Sequence, residues 1–327
     1  MRRRDLLTFA GGALFVGATP TIAQQKAGLL RVGYVFSFAA AEGRHLWNAC
    51  VSGLRSLGYE PGRTVAVEPR WAEGAHAILP DLVSQLVALH ANVIVAAATP
   101  AALATKSGAP HIPMVFVAVA DPIRIGLVRS FARPGGNATG ISLLTPELSG
   151  KRVQLLAEIL KRMPKLATLN NPANRSHDVF LEETRAAALQ LRANVLPLSA
   201  RDPEQIDAAF RRAVELGVSG LIVFDDPVLW SRRTQIVALA KSTRLPVMYG
   251  YSEYVEEGGL ISYGPYRPAL YARTAAFVDK ILKGANPADI PVEQPTRFEL
   301  MVNLKTAKGL GLQIPESVVI AADRVIE

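Results

Sequence analysis

The sequence predicts an α/β fold built from parallel sheets, and two local patterns support this prediction. Residues 93–97 form a short apolar run without polar alternation, which is typical of a strand buried on both faces. Thr99-Pro100 follows, where Thr can cap a helix and Pro suits its first turn. A second apolar run at 114–119 leads in the same way into Asp121-Pro122. Strands that alternate with capped helices predict a parallel sheet.

The same construction recurs in the second half of the chain. The apolar run at 166–169 leads to Asn171-Pro172, and the run at 221–224 leads to Asp225-Asp226-Pro227. We therefore expect four helices to begin at the carboxyl ends of strands, an edge where α/β sheets bind ligands and helix N-termini attract anions. Weak internal similarity, such as IPMV at 112–115 with LPVM at 245–248, indicates two similar lobes.

Periodicity and end signals predict the other elements. Residues 40–57 have the apolar spacing of a helix, which Gly58 ends. Further strands are predicted at 30–36, 64–68, 137–143, 194–198 and 246–249, and further helices at 78–89, 148–163, 179–191, 204–216, 229–242 and 271–282. A Pro-rich segment then precedes a strand at 299–303 and a helix at 306–310. Because this tail is too short for a domain of its own, we expect it to return to the first lobe.

The first residues predict export. Arg2, Arg3 and Arg4 precede an apolar segment at 6–16, and small residues follow near Ala23, which is the pattern of a removable secretory signal of the Sec or twin-arginine kind. The apolar segment is shorter than the ~20 residues of a membrane span, although a retained signal stays possible. The predicted organisation is a signal peptide at 1–23, lobe 1 at 24–145, lobe 2 at 146–263, and a hinge crossing with return to lobe 1 at 264–327.

Composition and charge narrow the function classes. The 327 residues suffice for two domains, and a hydrophobic content of 50% favours packed cores over disorder. The formal net charge is +8, or +6 without Arg2, Arg3, Arg4 and Asp5, and no dense basic tract indicates a nucleic-acid partner. Cys50 is the only cysteine and lies on a helical apolar pattern, so we expect a buried, inert thiol.

The sequence lacks the motifs of common enzyme classes. No Walker A sequence or G-x-G-x-x-G follows a predicted strand, and no two of the five histidines are spaced i, i+4 for zinc. The segment GYSEY at 250–254 begins like a nucleophile elbow but lacks the closing Gly. We therefore predict no enzyme, no cofactor and no metal, with a secreted α/β hydrolase that uses Ser252 as the alternative.

Polar and aromatic side chains remain at the predicted strand ends. Asp226 directly precedes Pro227 and can cap the helix, which leaves Asp225 free to pair with a ligand amine. Aromatic residues nearby could form apolar or cation-binding walls, or simply belong to the core. Capping alone could equally explain Thr99 and Asp121. The candidate ligand-binding residues are Thr99, Asp121, Asn174, Asp225, Tyr249, Tyr251, Phe36 and Trp71.

An ordered set of sequence blocks resembles one family from about Arg31 to the C-terminus. The blocks are WAEG at 71–74, ATPAA at 98–102, FVAVADP at 116–122, ARPGGN at 132–137, LSGKR at 148–152, NPAN at 171–174, SYGP at 262–265, VDKILKG at 278–284 and NLKTA at 303–307. They are similar to those of ABC transporter substrate-binding proteins, in the family that includes the tryptophan/tyrosine-type receptors. This chain has Asn170 where many members have an aromatic residue, so we expect a different apolar part of the pocket.

The resemblance implies a periplasmic-binding-protein-like fold of type I, with two lobes joined by three crossings near 143–148, 263–268 and 287–295. It also implies that Thr99 and Ala101 receive a ligand carboxylate, and that Asn174 and Asp225 contact the ligand from the second lobe. We therefore predict a monomeric periplasmic receptor that closes on a small carboxylate-bearing ligand, an amino acid or an aromatic acid, and docks on an inner-membrane ABC permease. A ligand-sensing module of a signalling system is an alternative.

Overall fold

The computed structural model describes residues 29–143 and 146–327. The predicted signal peptide at 1–23 and part of the first predicted crossing lie outside the described residues. Across the two described ranges, no helix is both long and apolar enough to cross a membrane.

The first lobe is a parallel five-stranded sheet with helices on both faces. Its strands are β1 (Leu30–Phe36), β2 (Val65–Trp71), β3 (Val93–Ala97), β4 (Met114–Val119) and β5 (Ala138–Ser142), and its first helices are α1 (Ala40–Ser56), α2 (Leu79–Ala88) and α3 (Thr99–Gly108). The strand order is β2-β1-β3-β4-β5. Every residue of β3 and β4 is buried, as their unbroken apolar runs predict.

The second lobe repeats this plan around a second sheet. Its strands are β6 (Lys165–Asn170), β7 (Asn194–Ser199), β8 (Gly220–Val223), β9 (Val247–Tyr249) and β10 (Ile261–Pro265), and its helices are α4 (Pro146–Leu160), α5 (Ser176–Gln190), α6 (Pro203–Glu215), α7 (Pro227–Ser231), α8 (Arg233–Ser242) and α9 (Ser252–Glu256). These five strands pair in parallel. The predicted helix at 229–242 is therefore two helices, since α7 ends before Arg232.

The last part of the chain contributes elements to both lobes. Helix α10 (Arg267–Leu282) packs on α1, and residue Glu293 bridges to Ile141 of β5, so this segment belongs to the first lobe. The chain then crosses a third time, and β11 (Phe298–Asn303), α11 (Leu304–Leu310), α12 (Glu316–Ala321) and β12 (Arg324–Ile326) follow.

The predicted return of the whole tail to the first lobe is wrong for these last elements. β11 pairs antiparallel with β10, and β12 extends the same sheet, which has the order β12-β11-β10-β9-β8-β6-β7. The backbone groups at the free edge of β10 need hydrogen-bond partners, and β11 supplies them. In the described residues, the chain crosses between the lobes after β10 and again between Glu293 and Phe298, which is later than the predicted 287–295.

The four predicted helix starts have different outcomes. Asp226 caps α7 by accepting hydrogen bonds from the N–H groups of Val228 and Leu229, as predicted. Ala98, not Thr99, is the N-cap residue of α3. Asp121 closes a turn rather than a helix, because its Oδ1 accepts from two backbone N–H groups but no helix follows. After Asn171-Pro172 the helix begins only at Ser176.

Candidate functional site

A small cavity lies between the two lobes, at the carboxyl ends of both sheets. Its volume is about 20 Å³, which is room for about one water molecule. The first lobe lines it with Ala98, Thr99, Ala118, Ala120 and Leu143, and the second lobe with Asn174, Ser176, Phe180, Asp225, Pro227 and Tyr251. The structure thus brings together four of the predicted site residues, namely Thr99, Asn174, Asp225 and Tyr251.

Thr99 links the lobes directly. Its Oγ1 shares a buried hydrogen bond of 2.8 Å with Oγ of Ser176, in the first turn of α5. Two residues further along α3, the Ala101 N–H donates to Oγ of Ser37 at 3.1 Å, and Ser37 in turn donates to the Ala97 carbonyl. The amide that the family resemblance assigns to a ligand carboxylate is therefore bonded to Ser37 in this structure, and Ala101 does not line the cavity.

The backbone around the cavity is strained on the first-lobe side. Ala98 has φ 72° and Ala118 has φ 59°, and both residues line the cavity. Left-handed backbone costs a residue with a Cβ about 1 kcal/mol or more, and such residues cluster at ligand-binding sites. Ala98 directly follows β3, and the pairing of β4 with β5 shifts register at Ala118.

Asp225 is not free, contrary to the prediction. Its Oδ2 accepts a hydrogen bond of 2.8 Å from Nη2 of Arg152, and each of the two side chains is 2% exposed. Arg152 also donates through Nε to the carbonyl oxygen of Tyr263, at the second crossing. The carboxylate therefore lies at the cavity as half of a buried ion pair, and Gly250 packs closely against its other oxygen.

A buried polar network holds the second-lobe wall in place. Asn174 donates from Nδ2 to Asp226 at 2.9 Å, and its own Oδ1 accepts from the Ser176 N–H. The Asn171 N–H donates to Nδ1 of His177, whose Nε2 therefore carries the proton and donates to the carbonyl oxygen of Asp225. Burial lowers the pKa of His177, so the ring is neutral. This network fixes the positions of Asn174 and Asp225.

The predicted aromatic wall forms on the first lobe but stands beside the cavity. Phe36 and Trp71 stack at 4.0 Å between ring centroids, and neither lines the cavity. Phe38 packs at a tilt against Phe36, with 5.4 Å between ring centroids, and meets Trp230 of the second lobe edge-on at 5.1 Å. The wall therefore contributes to contact between the lobes.

A cation lies within the aromatic contact between the lobes. The Arg267 guanidinium stacks on Trp230 at 4.1 Å and on Tyr251 at 4.2 Å, and it forms an ion pair of 3.1 Å with Glu253. Arg267 begins α10 directly after the second crossing. Tyr251 thus has the cation-binding role predicted for an aromatic wall, but its partner is a protein side chain.

An exposed ion pair joins the lobes at the edge of the cleft. Arg124 donates to both carboxylate oxygens of Glu182, at 2.7 and 2.8 Å. Asp121 accepts from the Arg124 N–H and so orders the loop that carries this arginine. Asp121 itself does not line the cavity.

Other predicted residues lie elsewhere. Tyr249 stacks on Tyr254 at 4.5 Å and lines a separate cavity of the second lobe. Within the described parts of the chain, no hydrogen bond connects Ser252 to a histidine, as a hydrolase nucleophile would need. Cys50 is fully buried and burial raises the pKa of its thiol to about 12, which confirms the prediction of an inert cysteine.

Sequence reasoning missed three residues that shape the cavity. Ser176 lies only two positions after the NPAN block. A hydroxyl in the first turn of a helix at a strand end could have predicted that Ser176 belongs to the site. Arg152 is part of the LSGKR block, but its partner Asp225 is 73 residues away. Phe180 reads as a core residue of α5, and nothing in the local pattern places it at the cavity.

Comparisons with known sequences identify relatives of this chain. A family model described as ABC transporter substrate binding protein matches residues 44–326. A tyrosine-binding protein of Clostridioides difficile is 24% identical over 264 residues, which are 80% of this chain and 75% of that protein.

Solved structures with the same architecture include a conserved domain protein from Vibrio cholerae, with a TM-score of 0.86, 27% identity, and coverage of 90% of this chain and 99% of that one. An ABC domain from Streptococcus pneumonia in complex with L-Trp has a TM-score of 0.85 and 27% identity, and covers 91% of this chain and 100% of that one. The likeness confirms the predicted periplasmic-binding-protein-like fold. The family is one of substrate-binding proteins and the curated relative is a tyrosine-binding protein, which confirms the prediction that the chain is not an enzyme. This protein belongs to the ABC transporter substrate-binding protein family.

Proposed function

We propose that this chain is an exported receptor of an ABC importer, and that it binds a small carboxylate-bearing ligand, either an amino acid or an aromatic acid, between its lobes. The observation that carries the proposal is the convergence of Thr99, Asn174, Asp225 and Tyr251 on one cavity, because these residues come from two lobes that only the fold brings together.

The groups around the cavity suit the two ends of an amino acid. A ligand ammonium would pair with Asp225 through the oxygen that Arg152 leaves free. A ligand carboxylate would compete with Ser37 for the N–H groups at the start of α3, where the helix dipole favours an anion. Phe180, Leu143 and Pro227 offer apolar surface to the side chain. The names of the relatives, a tyrosine-binding protein and a domain with L-Trp, support an aromatic amino acid.

Ligand entry requires the lobes to move apart. A cavity of about 20 Å³ cannot hold an amino acid, whereas ligand sites commonly have about 300 Å³ or more. The three crossings provide a hinge, and ligand contacts to both lobes would shift the population toward a closed complex. We infer that this closed, monomeric complex is the form that docks on the permease, after export to the periplasm by the predicted signal.

The ligand can be identified by thermal unfolding of the mature chain against a panel of amino acids, aromatic acids and the amides of the same amino acids. A ligand at a hundredfold excess over its Kd adds about 2.7 kcal/mol of stability. We expect the largest rise in midpoint with an aromatic amino acid. In Asp225→Asn its affinity should fall about tenfold to a hundredfold, because a charge-assisted hydrogen bond contributes about 1.5–3 kcal/mol.

Asp289→Asn is a matched control, since Asp289 is exposed and lies away from the cleft. If no compound of the panel shifts the midpoint, the receptor proposal fails. Equal affinities in Asp225→Asn and Asp289→Asn would remove Asp225 from the site. The importer role needs its own test, which is stimulation of the ATPase of a reconstituted permease by the liganded protein, and a lack of stimulation would favour a sensing module.

A further inference from the structure

The second lobe contains a large cavity that is separate from the interlobe cleft. Its volume is about 590 Å³, which is in the range of small-molecule sites. It lies between α8, β9, the loop before β10, and the tail helix α11, and it shares no lining residue with the cleft cavity.

One buried donor of this cavity, the Tyr249 hydroxyl, has no hydrogen-bond partner in the described parts of the chain. Tyr249 is 0% exposed, and its hydroxyl makes no hydrogen bond. Burial raises the pKa of this phenol, so it is an O–H donor at neutral pH. Asn303 also lines the cavity at 4% exposure, and its Oδ1 accepts from the Thr306 N–H. A buried donor without a partner costs about 1–3 kcal/mol, and a ligand acceptor would recover part of this cost.

The rim of the cavity is positively charged. Lys241, Arg244 and Lys305 line it, and among the described residues none of their side chains has an ion pair or hydrogen bond. Glu257 is the one acidic residue of the lining, and its carboxylate is already bonded to Arg233 at 2.5 Å and to Thr234 at 2.6 Å. The three cations are therefore available to an anion.

The remaining walls are apolar. Six apolar residues contribute to the lining, namely Val237, Ala240, Leu245, Val247, Leu260 and Leu310. We propose that this cavity is a second ligand site, and that it takes an organic carboxylate with an apolar body and a further hydrogen-bond acceptor. The cations of the rim bind the carboxylate, the walls bury the apolar body, and the Tyr249 hydroxyl donates to the acceptor. Such a ligand contacts only the second lobe and the tail, so it binds whether the lobes are open or closed.

Two fluorescent probes test this site on the full mature chain. The probes are 6-hydroxy-2-naphthoate, which carries both a carboxylate and a second acceptor, and 2-naphthoate, which lacks the second acceptor. We expect the hydroxylated probe to bind more tightly. Tyr249→Phe should lower its affinity about threefold to tenfold and leave that of 2-naphthoate nearly unchanged, because a single hydrogen bond is removed.

A charge-reversal pair provides the control for the rim. Lys305 and Lys308 are both exposed on α11, but only Lys305 lines the cavity. Lys305→Glu should weaken both probes at least about fivefold, and Lys308→Glu should leave their affinity nearly unchanged. Equal losses in the two variants would overturn the proposal, and so would a lack of binding at millimolar probe.

Asp225→Asn tests whether the probes bind in the cleft instead. We expect this variant to bind both probes with unchanged affinity. If affinity falls in Asp225→Asn but not in Lys305→Glu, the probes bind in the cleft and the second site is refuted. The receptor proposal is tested with amino acids through Asp225, so either proposal can fail without the other.

Discussion

Asp225 and Arg152 together determine the charge that the cleft presents to a ligand. Two fully buried ions lose several kcal/mol of hydration each, and only close pairing with further hydrogen bonds offsets this cost. Arg152 meets both conditions, because it donates to Asp225 and also to the carbonyl oxygen of Tyr263. The pair is neutral as a whole, so, under the proposed function, a ligand ammonium would be bound through the orientation of Asp225 rather than by a net negative field.

Glu253 shows how an ionised residue stabilises the contact between the lobes. Burial alone would raise its pKa, but Arg267 and a hydrogen bond from His45 lower it from the ordinary value of 4.5 to about 2. A carboxyl whose pKa is depressed by folding contributes stability above its unfolded pKa, and loses it as the pH falls through the folded value. This contribution should therefore be complete above about pH 5 and decline between about pH 4.5 and pH 2.

Glu253→Gln should lower the free energy of unfolding at pH 7 by up to about 3 kcal/mol, which is the equivalent of the pKa shift. The difference between wild type and variant should shrink as the pH falls toward 2. Urea unfolding of wild type and Glu253→Gln at pH 7 and at pH 3 measures this difference in the free energy of unfolding. Glu182→Gln, which removes an exposed carboxylate from the Arg124 pair, is the control and should have a smaller effect. A pH-independent difference for Glu253→Gln would contradict the assignment.

Helices α1 and α10 illustrate how one small residue sets the distance between two elements. An ideal Cβ on Gly53 of α1 would lie 2.3 Å from the backbone oxygen of Ala272 in α10. This close approach places α10 on the first lobe, between the second and third crossings. The strands before and after it, β10 and β11, both belong to the second sheet.

Gly53→Ala should therefore destabilise the protein by about 1–3 kcal/mol, since overpacking outweighs the gain of about 1 kcal/mol in helix propensity. Gly150→Ala in α4 is the matched control, because its added Cβ would meet only the Ala187 side chain at 4.0 Å. The control should be neutral or more stable by up to about 1 kcal/mol. The urea unfolding midpoints of Gly53→Ala and Gly150→Ala measure the difference. Equal changes in midpoint would show that the contact between α1 and α10 does not exclude a side chain at Gly53.

The sequence predicts elements better than it predicts their partners. Buried parallel strands and capped helices depend on residues within one turn or one strand, so runs such as β3 and the cap at Asp226 could be predicted. β11 joins the second sheet because the edge of β10 is free to pair with it. The residues close to β11 in the sequence do not predict this partner. The same holds at the site, where the bonds of Asp225 with Arg152 and of Thr99 with Ser176 span 73 and 77 residues.

At the scale of the whole molecule, two of the side-chain contacts between the lobes differ in how strongly water and salt weaken them. The Arg124 and Glu182 pair is exposed, so water and salt screen it. The Thr99 and Ser176 hydrogen bond is buried, and removal of one hydroxyl leaves the other without its protein partner. We therefore expect the buried hydroxyl pair to control the balance between open and closed forms.

Thr99→Val should lower the ratio of closed to open molecules about tenfold, which corresponds to about 1.4 kcal/mol for an unpaired buried hydroxyl. Arg124→Gln should change this ratio less, and its effect should disappear at high salt, whereas that of Thr99→Val should not. The distance between spin labels at Leu57→Cys and Leu189→Cys reports the ratio, since these positions are exposed on opposite lobes and Cys50 is buried from the label. Thr99→Ser keeps the hydroxyl and should restore the wild-type distances. If Arg124→Gln opens the lobes as far as Thr99→Val does, the exposed ion pair controls the balance instead. If Thr99→Ser fails to restore closure, the threonine methyl group and not the hydroxyl stabilises the closed form.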